Sequence, residues 1–386
     1  MAEVAILVIL LCLAGIYLGY PLLLICLSAL APARASGRGG IPPASVSIIV
    51  CAHNEAASIG AKLRSVFASV RGRSEAIEII VCDDGSTDGT ASIIATLARE
   101  SSFPFRLMRL PRGGKAAALR EAIRTAAGDI LVFSDADPLW DEATLGELLR
   151  PFADPSVGAV AGEVRSLRSA HPGAWRAGEA LFRGYESAIR AAEDRLFGCV
   201  SADGGLFALR ADLAEPVPGD VTDDFFLSTA AVMRGYRIAF QPSAAVYEVA
   251  PDGQRQHFRR RVRITVRGLT GLWRRRELLN PFRTGAYALG LLFHKLLRRL
   301  APLLLLPLWA AMLALVLEKG EPLHLALFAG VTAAAVATAV VLLLPLRVPK
   351  LLRLPAYLGI HLGGLAIGTI LFLTGRRYTQ WAPQKR

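Results

Sequence analysis

From Val4 to Leu30 the chain carries no charge, and this one stretch restricts the possible folds more than any other feature. A continuous apolar helix of that length spans the roughly 30 Å hydrocarbon core of a bilayer. A cleaved leader would have a basic start, a shorter apolar centre and a small-residue cleavage site. Here Glu3 precedes the run, so it reads as a retained transmembrane helix over residues 1–31. Arg34 and Arg38 follow it at once, and the positive-inside tendency then places what comes next on the cytoplasmic side of an inner membrane.

The other end of the chain is similar. Three apolar runs, about Leu300–Leu317, Leu323–Pro345 and Leu354–Thr374, are each of roughly spanning length and make up a membrane region over residues 300–375. Glu318–Pro322 reads as an acidic turn outside and Arg347–Arg353 as a basic turn inside. If all four runs cross, the basic tail at 376–386 ends outside, against the usual charge rule. Just upstream, residues 281–299 read as an amphipathic helix lying in the membrane interface. His294, Lys295, Arg298 and Arg299 fall on one face, and Leu289, Leu292, Phe293, Leu296 and Leu300 on the other.

Residues 32–43 are rich in Ala, Gly, Pro and Arg and read as a linker. Residues 44–280 have the composition of an ordinary globular domain. Val46–Val50, Glu78–Val81, Arg106–Leu110 and Asp129–Phe133 are short β-branched or apolar runs. Ala57–Val70, Ala91–Arg99 and Lys115–Ala127 have helical spacing. Strands alternating with helices of this length predict an α/β fold with a mostly parallel sheet covered on both faces. Ligands of such sheets bind at the carboxyl ends of the strands.

The unusual polar residues fall at those ends. Ala52-His53-Asn54-Glu55 follows the first strand, and Asp83-Asp84-Gly85-Ser86-Thr87-Asp88 follows the second. Carboxylates placed there can accept hydrogen bonds from a base and from ribose hydroxyls, and Gly85 permits a close backbone turn. Helix capping and turn chemistry explain either cluster taken alone. Gly113-Gly114-Lys115 opens a helix, where backbone amides and a lysine suit a diphosphate, although the P-loop spacing is absent and, taken alone, a plain loop-to-helix turn fits it better. Ser134-Asp135-Ala136-Asp137 places two carboxylates at a strand end, suited to Mn²⁺ or Mg²⁺ shared with phosphate oxygens and water. Thr222-Asp223-Asp224-Phe225 offers a carboxylate base for transfer to a hydroxyl, with Gly204-Gly205 upstream as backbone that an acceptor could approach. Nine arginines lie between Arg255 and Arg276 without an acidic residue among them. Arg260, Arg261 and Arg263 suit a departing diphosphate, whereas Trp273-Arg274-Arg275-Arg276 suits anionic headgroups.

Taken in order, these elements resemble the family 2 glycosyltransferases with the GT-A fold, over about Pro43–Asn280. The resemblance implies that Asn54, Glu55, Asp83, Asp84, Lys115 and Asp135 bind the nucleotide, and that Asp137 with Asp135 binds the metal. It makes Asp224, the last residue of a TED-like motif, the catalytic base. Gly204, Gly205, Asp223, Arg260, Arg261 and Arg263 would meet the diphosphate or the acceptor. His53 replaces the family's usual Tyr. The implied reaction inverts the anomeric centre and draws a sugar from a nucleotide-diphosphate sugar, by family habit a UDP-sugar. Processive members carry QxxRW after the TED motif, and Arg260 and Ile264 stand in the Gln and Trp places here. That departure favours addition of a single sugar to a lipid-linked or glycan acceptor at the membrane over polymer extrusion.

Other classes fit less well. The chain has a net charge of +12, and its basic run borders membrane-type sequence and lacks interleaved aromatics, which points to lipids and phosphates and away from nucleic acid. A non-catalytic membrane scaffold would have no need of both Asp-x-Asp and Asp224. Cys12, Cys26, Cys51, Cys82 and Cys199 show no metal spacing and read as free thiols.

Overall fold

A computed structural model of the chain describes residues 1–32, 43–166, 174–248, 254–344 and 353–378. Most of the 32–43 linker, most of the basic turn at 347–353 and most of the tail at 376–386 lie outside the described residues. The chain opens with helix α1 (Ala2–Leu30), which loosens into a π-helical turn at Gly15–Gly19. Then come β1 (Ser45–Ala52), α2 (Ile59–Val70), β2 (Ala76–Asp84), α3 (Thr90–Glu100), β3 (Phe105–Leu110), α4 (Lys115–Thr125), β4 (Ile130–Asp135), β5 (Leu139–Trp140) and α5 (Thr144–Leu149). The second half holds β6 (Val157–Ser166), α6 (Ala174–Leu196), β7 (Phe207–Arg210), α7 (Asp223–Met233), β8 (Arg237–Glu248) and α8 (Gln254–Arg274). Helices α9 (Ala286–Lys319), α10 (Pro322–Leu343) and α11 (Arg353–Leu373) complete it.

The eight strands form one sheet in the order β3-β2-β1-β4-β7-β6-β8-β5. As expected, β3, β2, β1 and β4 run parallel. The far half is mixed, because β7 runs antiparallel between β4 and β6, and β5 runs antiparallel to β8. Two of its strands are too short to leave a sequence pattern, β7 with four residues and β5 with two, whereas β6 and β8 have ten and twelve. The sheet centre is apolar on both faces: Ile48, Val50 and Val132 pack on one side, and Ile49, Leu131 and Phe133 on the other. Each such side chain contributes about 1.5–3 kcal/mol on full burial. This order places the ends of β1 and β4 side by side, with Cys51 in register with Asp135.

Among the described residues four helices, α1, α9, α10 and the Pro355–Leu373 part of α11, are long and apolar enough to cross a membrane. The interfacial helix expected at 281–299 is not a separate element. Residues 281–284 form a single turn, and from Ala286 one helix continues for 34 residues. At about 1.5 Å per residue it is about 50 Å long, more than a bilayer core needs. Its first part is instead packed on protein. His294 and Arg298, expected to face headgroups, are buried against α6. Lys319 at its far end pairs with Glu3 at 2.6 Å, so the start of α1 and the end of α9 lie together. Glycines on α11 admit α8 at close range: a methyl group on Gly364 would lie 2.8 Å from the Arg261 side chain, and one on Gly368 2.6 Å from Thr265.

Candidate active site

Asp84 sets the local architecture at the end of β2. Its buried carboxylate accepts from Gly113 N at 2.7 Å and from Gly114 N at 3.0 Å, and it pairs with Arg112. The amides expected to cradle a diphosphate are therefore engaged by protein, and Asp84 holds the glycine loop from below. Gly85, at φ +64, serves the same contact, since a Cβ there would lie 2.9 Å from Arg112 N. Asp83 is also buried and accepts from Ser86 N at 3.1 Å. Asn54 adopts the left-handed φ of 54°, uncommon outside glycine, and ties the end of β1 to that of β2. Its Oδ1 accepts from Thr87 N at 2.8 Å, and its own amide donates to Ser86 Oγ at 2.9 Å. His53 Nδ1 lies 2.8 Å from Asp84 O.

Above these loops opens a cavity of about 580 Å³. Glu55, Lys115, Asp135, Asp137, Gly204, Asp223, Asp224, Arg260, Arg261 and Arg263 line it. Asn54, Asp83, Asp84 and Gly205 do not. Gly205 packs behind the wall, its carbonyl accepting from Ser134 Oγ at 2.7 Å and its amide donating to Asp203 at 3.2 Å. Gly204 sits between the two carboxylate groups. A methyl group on it would lie 3.5 Å from Asp135 Oδ2 and 3.9 Å from Asp224 Oδ2.

Lys115 is clamped by Asp135 at 2.5 Å and Asp223 at 2.7 Å. Burial opposes its charge, but the two aspartates outweigh that and hold its pKa above the ordinary lysine value. Burial also raises Asp135, with Lys115 opposing. At Asp223 burial works upward, yet the same lysine leaves the carboxyl below its usual range. Asp224 is pushed up to about 6, first by burial and then by the neighbouring charges of Asp223 and Asp203. Its Oδ1 caps the first turn of α7 by accepting from Phe225 N at 2.8 Å. One carboxyl is thus poised near neutrality beside another held ionised, the environment split that marks acid–base sites.

The basic helix α8 forms the opposite wall. Arg260 pairs with Glu248 at 3.3 Å, and Arg261 lies 5.2 Å over the Phe182 ring. Ile264 lines the cavity as well. The segment expected to meet headgroups is in part tied to protein: Arg274 to Asp220 at 2.9 Å and Arg275 to Glu215 at 2.7 Å, while Trp273 is exposed.

Sequence reading missed several lining or supporting groups. Asp203, directly before the glycine pair, lines the cavity and lies 3.5 Å from Arg190; its position after β6 and α6 carried no recognisable pattern. Lys62 is fully buried under the Asp-x-Asp loop. It donates to Ser134 Oγ at 2.6 Å and Pro138 O at 2.7 Å, bracketing Asp135 to Asp137, and stands 5.0 Å from the Trp140 ring. A lone lysine in a helical run gives no sign of that role.

As to metal chemistry, no three His, Cys, Asp or Glu side chains converge into a full ligand set among the described residues. Asp135 and Asp137 line the cavity together, and such a pair suits a hard divalent cation that takes its other ligands from phosphate oxygens and water.

Strand-end carboxylates around a deep cleft, beside four membrane-length helices, define a membrane-anchored α/β enzyme of group transfer. The chain belongs to glycosyl transferase family 2. It matches the model "Glycosyl transferase family 2" over residues 47–212 and "Glycosyl transferase family group 2" over residues 130–346. Among curated proteins it is similar to poly-beta-1,6-N-acetyl-D-glucosamine synthase of Staphylococcus aureus, 29% identical over 224 residues, which are 56% of this chain and 53% of that one. It is also similar to the Bacillus subtilis protein named "Probable glycosyltransferase YdaM", 26% identical over 226 residues, 56% of this chain and 54% of that one. The chain thus spans about half the length of the curated relatives it matches. Among solved structures it resembles mannosyltransferase PcManGT from Pyrobaculum calidifontis, determined in complex with GDP-Man and Mn²⁺, with a TM-score of 0.74 and 25% identity over 97% of this chain and 100% of that one. The fold is that of the GT-A glycosyltransferases, joined here to helices of membrane-spanning length.

Proposed function

We propose that the protein transfers a single sugar, with inversion, from a nucleotide-diphosphate sugar to a lipid-linked or glycan acceptor at the cytoplasmic face of the inner membrane. The observation that carries this reading is Asp224, raised to about 6 and flanking Gly204 together with Asp135 in one cavity. At neutral pH such a carboxylate is mostly ionised yet basic enough to take a proton. Asp224 would accept the proton of an acceptor hydroxyl as its oxygen bonds to the anomeric carbon. The bond from that carbon to the diphosphate breaks, and the nucleoside diphosphate leaves with the electron pair. A single displacement of this kind inverts the centre.

Asp137, with Asp135, would hold Mn²⁺ or Mg²⁺, which neutralises the diphosphate when bound. Lys115 fixes Asp135 and Asp223, and Arg260, Arg261 and Arg263 on the facing helix add charge that suits the departing phosphates. For the donor, family habit favours UDP, whereas the full-length structural neighbour was captured with GDP-Man. UDP-sugars are thus the first arm of the test and GDP-sugars the second.

A processive reading has one observation in its favour, the curated relatives named as polymer synthases. Against it, Ile264 lines the cavity where an acceptor-stacking tryptophan would be needed. Product size separates the two readings, since one sugar per acceptor supports the first and a ladder of lengths the second.

The defining experiment incubates detergent-solubilised protein with Mn²⁺ or Mg²⁺ and a panel of nucleotide sugars and records free nucleoside diphosphate. Release from one donor that disappears in Asp224→Asn is the expected result. A wild-type protein that binds no nucleotide sugar would remove the reading.

A further inference from the structure

Part of the cavity lining comes from α6, α9 and α11, and this end meets the carboxylate cluster where Arg190 of α6 lies 3.5 Å from Asp203. Four basic residues of α9 reach this region, and the fold treats them in two ways. His294 is held by Glu193 at 2.7 Å and Glu186 at 3.0 Å, and Arg298 by Glu186 at 2.5 Å. Lys295 and Arg299, four residues apart and so on one face, also line the cavity. Among the described residues neither makes an ion pair. The Arg299 guanidinium donates to the Lys295 carbonyl at 2.7 Å and packs 2.9 Å from where a methyl on Gly268 of α8 would lie. Arg190 of α6 is buried beside them, its Nε without a hydrogen-bond partner among the described residues and its one carboxylate contact, to Asp203, long at 3.5 Å.

Charges withdrawn from water without a counter-ion are costly. The same helix shows that carboxylates can be supplied where the fold alone must balance a charge. A cation pair left facing a cavity therefore fits an anion that arrives with the ligand. The surroundings say which kind. Phe182 and Leu365 line this end, and the helices that form it continue into membrane-length segments.

We propose that this end of the cavity is the acceptor subsite, and that it takes a lipid with a diphosphate headgroup bearing the acceptor sugar, its phosphoryl oxygens held by Lys295, Arg299 and Arg190. The proposal rests on the transferase reading above. A base at Asp224 is needed when the nucleophile is a hydroxyl, so the sugar hydroxyl faces Asp224 while the phosphates lie on the cations and the chain follows the apolar helices.

The test uses full-length protein in nanodiscs, without donor or metal. Its affinity is measured for a long-chain isoprenyl diphosphate, for the matching isoprenol and for inorganic pyrophosphate. The diphosphate lipid should bind at least about tenfold more tightly than the alcohol, as charge-assisted hydrogen bonds imply. Lys295→Gln with Arg299→Gln should erase that preference while the Kd for nucleotide sugar with Mn²⁺ holds. Lys295→Arg and Arg299→Lys, which keep the charge, should retain it.

Equal binding of alcohol and diphosphate would overturn the assignment. So would pyrophosphate binding as tightly as the lipid with the same residue dependence, which would mark a free-anion site. Loss of donor affinity in parallel with lipid affinity would give these cations to the donor. Intact donor binding without any lipid preference sinks only this subsite, whereas absent donor binding sinks the transferase reading itself.

Discussion

The two ends of the cavity are built by different means. At the sheet end, charge is matched within the fold: Lys115 lies between Asp135 and Asp223, Arg112 on Asp84, and Arg260 on Glu248. Asp84, Asp135 and Glu248 end their strands, Lys115 and Asp223 open α4 and α7, and Arg260 comes from α8. At the membrane end the lining comes from helix faces distant in sequence, and Lys295 and Arg299 face the cavity without an ion pair among the described residues. A site already balanced internally is preorganised for one displacement. A site left unbalanced depends on what its ligand brings. Substitutions at the sheet end should therefore damage chemistry and donor binding, and those at the membrane end should weaken acceptor binding while donor binding holds.

The largest effect is expected at Asp224. Asp224→Asn should lower transfer by about 10²–10⁴-fold, with donor affinity nearly unchanged. The raised carboxyl also sets a pH limb. Below about 6 it is protonated and cannot act as base, so wild-type activity should fall with decreasing pH through that value. The limb should be missing from the residual activity of the variant. A profile of unchanged shape in Asp224→Asn would hand the base to another group.

Asp137→Ala comes next. Removal of one of two carboxylates facing a hard cation should weaken metal-dependent donor binding on the order of 100-fold. Isothermal titration of nucleotide sugar with and without Mn²⁺ reads this directly. Wild-type donor affinity indifferent to Mn²⁺ and Mg²⁺ would show that these carboxylates serve another purpose.

Lys62 sharpens the comparison because it supports the sheet end without lining it. Lys62→Met removes the link between Ser134 and Pro138, although Ser134 keeps its bonds to Gly205 and Trp140, and should reduce apparent metal affinity about tenfold, as is usual when a group that orients ligands is lost. Burial pulls this lysine down to about 7, with Asp137 and Asp135 opposing. Between pH 7 and the ordinary lysine value the unfolded chain alone binds the proton, so this group makes stability rise with pH there. Chemical denaturation at pH 7 and 9 should show that rise in wild type and a smaller one in Lys62→Met. Unaltered metal dependence in a folded variant would reduce Lys62 to packing.

What could be read from the sequence follows the same division. The strand-end motifs were legible because each follows its strand within a few residues, so local pattern carries position: Asp135 and Asp137 come directly after Phe133, and Asn54 and Glu55 after Ala52. The use of those residues was less legible. Asp84 braces Gly113 and Gly114, a contact across 29 and 30 positions that no periodicity reveals. In the mixed half of the sheet, β5 and β7, of two and four residues, leave no repeat to detect. The basic face of α9 was recognised as a face, yet its partners, Glu186 and Glu193, lie about a hundred positions upstream on α6. A helical wheel shows which residues share a side and is silent on what meets that side.

The smallest effect tests the same point outside the cavity. Arg274 belongs to the arginine run that pattern alone assigns to headgroups, but it lies on Asp220 through both carboxylate oxygens at 2.9 Å. Its side chain is 46% exposed, so the pair should contribute only about 0.2–1 kcal/mol. Arg274→Ala should thus cost at most that much stability, read as a small shift in denaturation midpoint that shrinks with added salt. Transfer activity and retention on vesicles containing phosphatidylglycerol should stay at wild-type levels. A clear loss of vesicle retention with unchanged stability would return Arg274 to the membrane surface. The contrast would then run between arginines that face lipid and cations that face the cavity, and no longer between charges matched by protein and charges left for a ligand.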